Sequence, residues 1–298
     1  MATLYTQADS NIRKTWILLI FFMVFVISLG WFFSYLLGDN MFFILAIFIS
    51  TLQGLAGFWY SDKIVLAMTG ASEVKKRDNP ELYRLVENLS ITAGLPLPRI
   101  YIIDEAQPNA FATGRNEEQA VIAVTKGLLE KLERTELEGV IAHELSHIGN
   151  KDMFLNSVLV VLVGIVAILS RMFLRIGYLS RGRRKNRDSR NSASFLFFFG
   201  IIGAVLAPIV AYLIQLATSR KREFLADATG ALLTRYPEGL ARALEKISQD
   251  KTPFKRADSS TAHLYISNPF KEKNWLTKLF STHPPVEERM RALRGMKV

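Results

Sequence analysis

Four apolar blocks punctuate the chain, and polar stretches of very different length separate them. Trp16 to Leu37 carries no charge, and after the turn-like Gly38-Asp39-Asn40 a second uncharged block runs from Met41 to Tyr60. Each is long enough to cross a hydrocarbon core of about 30 Å as a helix. A cleaved signal peptide has a shorter apolar core, a small-residue cleavage site and no second span close behind, so the pattern reads as a membrane hairpin. Met153 to Ser170 and Phe195 to Ala217 form the other two blocks. The last contains Gly200, Gly203, Pro208 and Gln215, which suit a kinked helix or one packed tightly on neighbours.

Residues 61–151 have a different texture. Glu81 to Ala93 has helical periodicity and stops at Gly94, with Pro96 beyond. Arg99 to Asp104 reads as a strand, Ala110 to Gly114 as a second and Gln119 to Thr125 as a third. A helix is expected over Lys126 to Leu132, and Thr135 with Glu138 forms a T-x-x-E capping box that opens another. After the fourth block, a helix is expected near Ser219 to Thr234. A polar stretch rich in Ser, Lys and Asn follows, then a short amphipathic helix around Val286 to Leu293.

The expected architecture is therefore a mostly α membrane protein with a small α+β part, about four transmembrane helices and a short β-sheet. Residues 1–60 make an N-terminal hairpin and 61–151 a cytosolic part. Residues 152–217 make a second transmembrane or re-entrant hairpin, and 218–298 a second cytosolic part. No internal repeat is visible.

Composition narrows the chemistry. Half of the 298 residues are apolar, with 20 Phe, and none is Cys. Disulfides, thiolate metal sites and cysteine nucleophiles are excluded, so a metal would have to be held by His and carboxylates. The net charge is +10. Nothing resembles a nucleic-acid module, and much of the basic excess flanks apolar blocks, where it faces anionic lipid headgroups and sets topology. Arg13 and Lys14 precede the first block, and Lys63, Lys75, Lys76 and Arg77 follow the second, while the turn between carries no Lys or Arg. Both ends of the first hairpin then lie in the cytoplasm.

His143-Glu144-Leu145-Ser146-His147 matches H-E-x-x-H. On a helix, positions four apart share a face, so both imidazoles can reach one ion. Glu144 is rotated about 100° from His143, beside the metal's open position, where a general base for water belongs. The opposite face carries Leu137, Ile141, Leu145 and Ile148. Chance is a weak explanation, because two of only four histidines would have to fall at this spacing around a Glu. A catalytic zinc needs a third protein ligand, and the candidates are His263, His283 or a carboxylate. Glu223 stands out, with Asp227 four residues on and sharing its helical face; Asp227 could bond the second nitrogen of a metal-bound His. Ala226, Ala228 and Ala231 would let that helix approach the motif helix closely. The bland alternative is a solvated E-x-x-x-D pair beside Arg220, Lys221 and Arg222.

Taken together, these motifs resemble the HtpX family of bacterial membrane zinc proteases, relatives of the CAAX prenyl proteases within the glutamate-zincins. The resemblance spans nearly the whole chain, through Pro108-Asn-Ala-Phe-Ala112, His143-Glu-Leu-Ser-His147, Glu223-Phe-Leu-Ala-Asp227 and Ser281-Thr-His-Pro-Pro285. It implies one zinc ion per chain, held by His143, His147 and Glu223, with Glu144 as base and Asp227 supporting the ligands. It also implies that His283 and Arg289 lie near the active site, where both could stabilise an oxyanion. For His283 the competing reading is a turn residue stiffened by two prolines. The stretch from Asn109 through Ala110 and Phe111 resembles an edge strand that aligns an extended substrate, or else is an ordinary hairpin strand. The implied substrates are membrane or misfolded proteins, in membrane protein quality control, at the cytoplasmic face of the bacterial inner membrane.

Geometry adds a constraint. If Glu223 joins His143 and His147, the chain between them crosses the membrane an even number of times. Two full crossings would put the basic run Arg181 to Arg190 outside, against the positive-inside preference; a re-entrant hairpin, or dominance of the earlier spans, removes the conflict. Other readings are an intramembrane protease, a zinc-binding scaffold without activity and a CAAX-type peptidase. The charges at Glu133, Arg134, Glu136 and Glu138 oppose the first, the intact Glu144 the second, and the number of spans the third.

Overall fold

The computed structural model of the chain describes residues 4–164, 166, 220–255, 258, 260–270 and 284–296. Most of the third apolar block beyond Gly164, the fourth block, the basic run Arg181 to Arg190 and His283 lie outside the described residues.

The first two apolar blocks form the antiparallel helices α1 (Leu4–Leu37) and α2 (Met41–Thr69). Gly38 turns the chain at φ 69°, which costs glycine nothing sterically, and the Asp39 carboxylate accepts the N–H of Met41 at 2.9 Å. Only 22% of the most apolar window of each helix is buried, so these are not core helices of a soluble protein. Both have the length and composition of membrane spans. The second helix does not stop where its uncharged run ends. It continues past Tyr60 through Ser61, Asp62, Val65 and Leu66, which are buried, to Thr69, where Gly70 caps it in the left-handed region. One continuous helix thus enters the catalytic part.

That part contains a four-stranded sheet of order β1-β2-β4-β3, with β1 (Ala71–Glu73), β2 (Arg99–Ile103), β3 (Ala110–Thr113) and β4 (Val121–Thr125). β2 and β4 run parallel and the other pairs antiparallel. β4 is fully buried, as a central strand should be, and β3 lies at the sheet edge. The expected third strand from Gln119 is shorter, because residues Glu117–Gln119 form a 3₁₀ turn before it.

Helices α3 (Pro80–Ala93), α4 (Lys126–Lys131) and α5 (Arg134–Gly149) follow the expected periodicity. The start of α5 differs from expectation. The helix begins two residues earlier than the T-x-x-E box would place it, and the Glu136 carboxylate accepts the N–H of Glu133 at 2.8 Å. The third block begins as α6, described over Asp152–Gly164, and its apolar side chains are buried. Leu155, Val158, Leu159 and Leu162 of α6 pack on Leu18, Leu19 and Phe22 of α1. α7 (Arg220–Thr234) and α9 (Val286–Arg294) fall where periodicity put them. α8 (Pro237–Gln249) stands where no element was expected after Thr234. Pro237 at its first turn starts it, and Leu240, Ala241, Leu244 and Ile247 form a buried stripe.

The main core joins Leu85 and Val86 of α3, Ile122 and Val124 of β4 and Leu240 and Leu244 of α8 to Leu137, Ile141, Leu145 and Ile148 of α5. The face of α5 opposite the H-E-x-x-H histidines is therefore packed, as its sequence implied, and the helix cannot rotate its motif away.

Candidate metal centre

Two helices cross to build the site. On α7, Glu223, Asp227 and Gly230 share one face, and a Cβ added to Gly230 would lie 2.9 Å from the backbone nitrogen of His143. That contact needs glycine, and Ala226 and Ala231 beside it are fully buried. The backbones of α5 and α7 thus meet closely enough for one carboxylate of α7 to join both imidazoles of α5.

The Nε2 atoms of His143 and His147 are 3.2 Å apart. The Glu223 carboxylate oxygens stand 3.9 Å from His143 Nε2 and 3.7 Å from His147 Nε2. Donors bound tetrahedrally at 2.0–2.1 Å lie about 3.3 Å from one another, so this triad fits one small cation with modest adjustment. Among the described residues these three alone form such a cluster. His263, one of the other candidate ligands, lines the same cavity, but its Nε2 lies 3.2 Å from the main-chain oxygen of Asn156.

Each imidazole turns its other nitrogen to a carboxylate. His143 Nδ1 is 3.0 Å from Asp227 Oδ1, and His147 Nδ1 is 3.1 Å from Asp152 Oδ2. Donating through Nδ1 leaves the Nε2 lone pair of each ring for a metal. Asp227 had been expected there, whereas Asp152 had not. Asp227 is itself held by Arg289, with Nε 2.8 Å from Oδ2 and Nη2 2.6 Å from Oδ1. Arg289 is completely buried; its Nη1 donates to the Ile266 carbonyl at 3.2 Å and lies 3.5 Å from Glu223. The guanidinium is therefore committed to Asp227, Glu223 and a main-chain oxygen.

The electrostatics are those of a cation site. Burial pushes the His143 imidazole below its usual pKa, with Asp227 pulling the other way. Burial acts downward on His147 too, but the hydrogen bond to Asp152 and the charges of Glu223 and Glu144 outweigh it and raise the ring to about 9. Burial raises Glu144 to about 7, against the opposing influence of His147. Arg289 holds the Asp227 carboxyl down at about 2, more than offsetting its burial.

Glu144 accepts the backbone N–H of Ala112, so the base is anchored to the edge strand. The cavity here offers about 10 Å³ to water, room for a single molecule, and is lined by Ala112, Glu144, Asn156, His263, Leu264 and Ile266 around His143, His147 and Glu223. The edge strand itself is partly covered. Ile266 N–H donates to the Ala110 carbonyl at 3.0 Å, and the Asn109 side chain bonds Ser267 O at 2.8 Å. Asn109, Ala110 and Phe111 are all buried.

Comparison with known proteins agrees with this geometry. Residues 76–297 match the model of peptidase family M48. A protease HtpX homolog of Dictyoglomus turgidum is 46% identical over 99% of this chain and 95% of its own length. One from Thermoanaerobacter pseudethanolicus is 42% identical over 99% of this chain and 98% of its own. The crystal structure of Ste24p from S. mikatae shares the fold at TM-score 0.50 and 20% identity, covering 94% of this chain and 67% of that one.

Proposed function

The chain belongs to the HtpX group of peptidase family M48, which makes it a metallopeptidase, and from that premise we propose a membrane-bound zinc endopeptidase. It cleaves membrane or misfolded polypeptides at the cytoplasmic face in membrane protein quality control. The observation that carries this reading is the convergence of His143, His147 and Glu223 beside the buried carboxyl of Glu144.

His143, His147 and Glu223 are the residues that would hold zinc. A zinc ion there supplies Lewis-acid polarisation of a scissile carbonyl and acidifies water. Glu144 takes a proton from the attacking water and returns it to the leaving amine. Asp227 keeps His143 in the tautomer with Nε2 free, and Arg289 keeps Asp227 ionised and oriented. Arg289 accordingly acts through the ligands more than on an oxyanion. The role of His283 stays with the sequence argument, two residues before Pro285 at the start of α9. An extended substrate pairing with the outer edge of the Asn109-Ala110-Phe111 strand has to displace the bond that Ile266 makes to the Ala110 carbonyl.

Two apolar, largely exposed helices support membrane attachment, and their flanking Lys and Arg support a cytoplasmic site. Four apolar segments enter the membrane, the last two either as full spans or as a re-entrant hairpin. The deciding experiment compares wild type with Glu144→Gln in detergent, measuring bound zinc and cleavage of an unfolded membrane-protein substrate. Equal zinc is expected, with cleavage lost by at least about 100-fold. Undiminished cleavage in the variant would remove Glu144 from the mechanism, and a wild type that binds no zinc would overturn the metal assignment.

A further inference from the structure

The start of α1 carries a polar face with no local reason to be buried. Asn11 and Thr15 are buried there, in helical register with Leu18, Leu19 and Phe22 farther along. The apolar members pack on α6, while Asn11 reaches the start of that helix. Its Nδ2 donates to Asp152 Oδ1 at 2.5 Å and to the Asn150 carbonyl at 3.1 Å, and its Oδ1 accepts from Arg222 Nη1 at 3.3 Å. This one carboxamide thus joins the first membrane helix, the end of α5 and the beginning of α7. Arg222 Nη1 also lies 3.4 Å from Asp152 Oδ1. The other oxygen of Asp152 is the one that faces His147.

We infer that Asn11 is a positioning residue of the metal centre, acting on His147 through Asp152, so that the first membrane helix is a working part of the site. The inference rests on the zinc ligands proposed above. Three physical points support it. Asp152 follows Lys151, a non-glycine residue at φ 56°, so the chain adopts a disfavoured conformation where it turns the carboxylate back toward His147. Asn11, Asp152 and Arg222 are all buried, so their hydrogen bonds are not in exchange with bulk water. Finally, the carboxylate is pulled from two sides. Without the Asn11 amide, the nearest remaining donor to Oδ1 is the Arg222 guanidinium, and a carboxylate that swings toward it loosens its bond to the His147 ring. A mispositioned imidazole is a weaker ligand even when the fold is intact.

The test measures zinc affinity by chelator competition on the full chain in detergent, with the absorption spectrum of the cobalt-loaded protein as a second readout. Wild type is compared with Asn11→Leu, Leu18→Ala and His147→Ala. Asn11→Leu should bind zinc about tenfold more weakly, with an altered cobalt spectrum. Leu18→Ala removes apolar packing from the same face of α1 without touching the cluster, and should bind zinc like wild type. Wild-type affinity and spectrum in Asn11→Leu would overturn the inference, as would an equal loss in Leu18→Ala, which would mark a general loosening of the hairpin. Should the leucine variant fail to fold, Asn11→Ala carries the same expectations. Full zinc binding by His147→Ala would instead overturn the ligand assignment, a separate failure.

Discussion

The two imidazoles of the metal centre are held by the same device from opposite directions. His143 leans on Asp227, which is gripped bidentately by Arg289, and all three lie within the catalytic part. His147 leans on Asp152, which is gripped by Asn11 from the membrane hairpin, with Arg222 set farther off at 3.4 Å. The first support joins α5, α7 and α9 through a close fork of charged hydrogen bonds. The second depends on a neutral amide carried by a helix whose remaining surface is built for lipid. One imidazole is thus insulated from the hairpin, and the other is tied to it.

This asymmetry should be visible in stability. Arg289→Met leaves Asp227 as a buried carboxylate without its cation, and should cost about 3–5 kcal/mol in denaturant unfolding in detergent. Arg222→Met leaves Asp152 with the Asn11 amide and should cost less, about 1–3 kcal/mol. Equal losses would mean that the two carboxylates are held alike, and the contrast would fail.

Metal affinity compares the two supports more directly. Asp227→Asn and Asp152→Asn each weaken the bond that fixes a ligand ring, and each should lower zinc affinity by about 10- to 100-fold in chelator competition. An unchanged affinity in Asp152→Asn would leave only the His143 support in the site.

How far the sequence revealed this follows the same line. His143 with His147, and Glu223 with Asp227, stand out as pairs because helical periodicity brings residues four apart onto one face, and Glu144 through the H-E-x-x-H pattern, whereas only the family resemblance joined Glu223 to the histidines. The packed side of α5 was legible for the same reason. Asp152 was not, because α5 ends at Gly149 and a turn through Lys151 intervenes, so no helical spacing links Asp152 to His147. Asn11 lies 141 residues from its partner Asp152, and nothing around it in sequence distinguishes it from a surface amide. α8 was legible too, from Pro237 at its first turn and the helical spacing of Leu240, Ala241, Leu244 and Ile247. The tenacity of α2 beyond Tyr60 was hidden by Asp62 and Lys63, which look like the end of a span. They are instead the point where the helix passes from mostly exposed to mostly buried residues.

The closeness of α5 and α7 is a smaller lever on the same contrast. Gly230→Ala puts a methyl against the backbone of His143, and should cost about 1–3 kcal/mol by the same unfolding measurement. It should also move Glu223 and Asp227 together, lowering zinc affinity on the insulated side while the Asn11–Asp152 bond stays in place. Loss of stability with wild-type zinc affinity would mean that α7 can slide without carrying its ligand.

The smallest effect tests whether the hairpin speaks to the metal through α1 alone. α2 also enters the catalytic part, where its Asp62 accepts a hydrogen bond from Arg99 of β2 at 3.1 Å. That pair is half open to water on the Arg99 side, so screening limits its worth to about 1 kcal/mol or less. Asp62→Asn keeps the shape of the side chain and removes its charge. A slight loss of stability is expected, with zinc affinity and the rate of cleavage unchanged. A fall in zinc affinity comparable to that of Asn11→Leu would show that both helices of the hairpin load the site. The metal would then be responding to the whole membrane anchor rather than to one amide on its first helix.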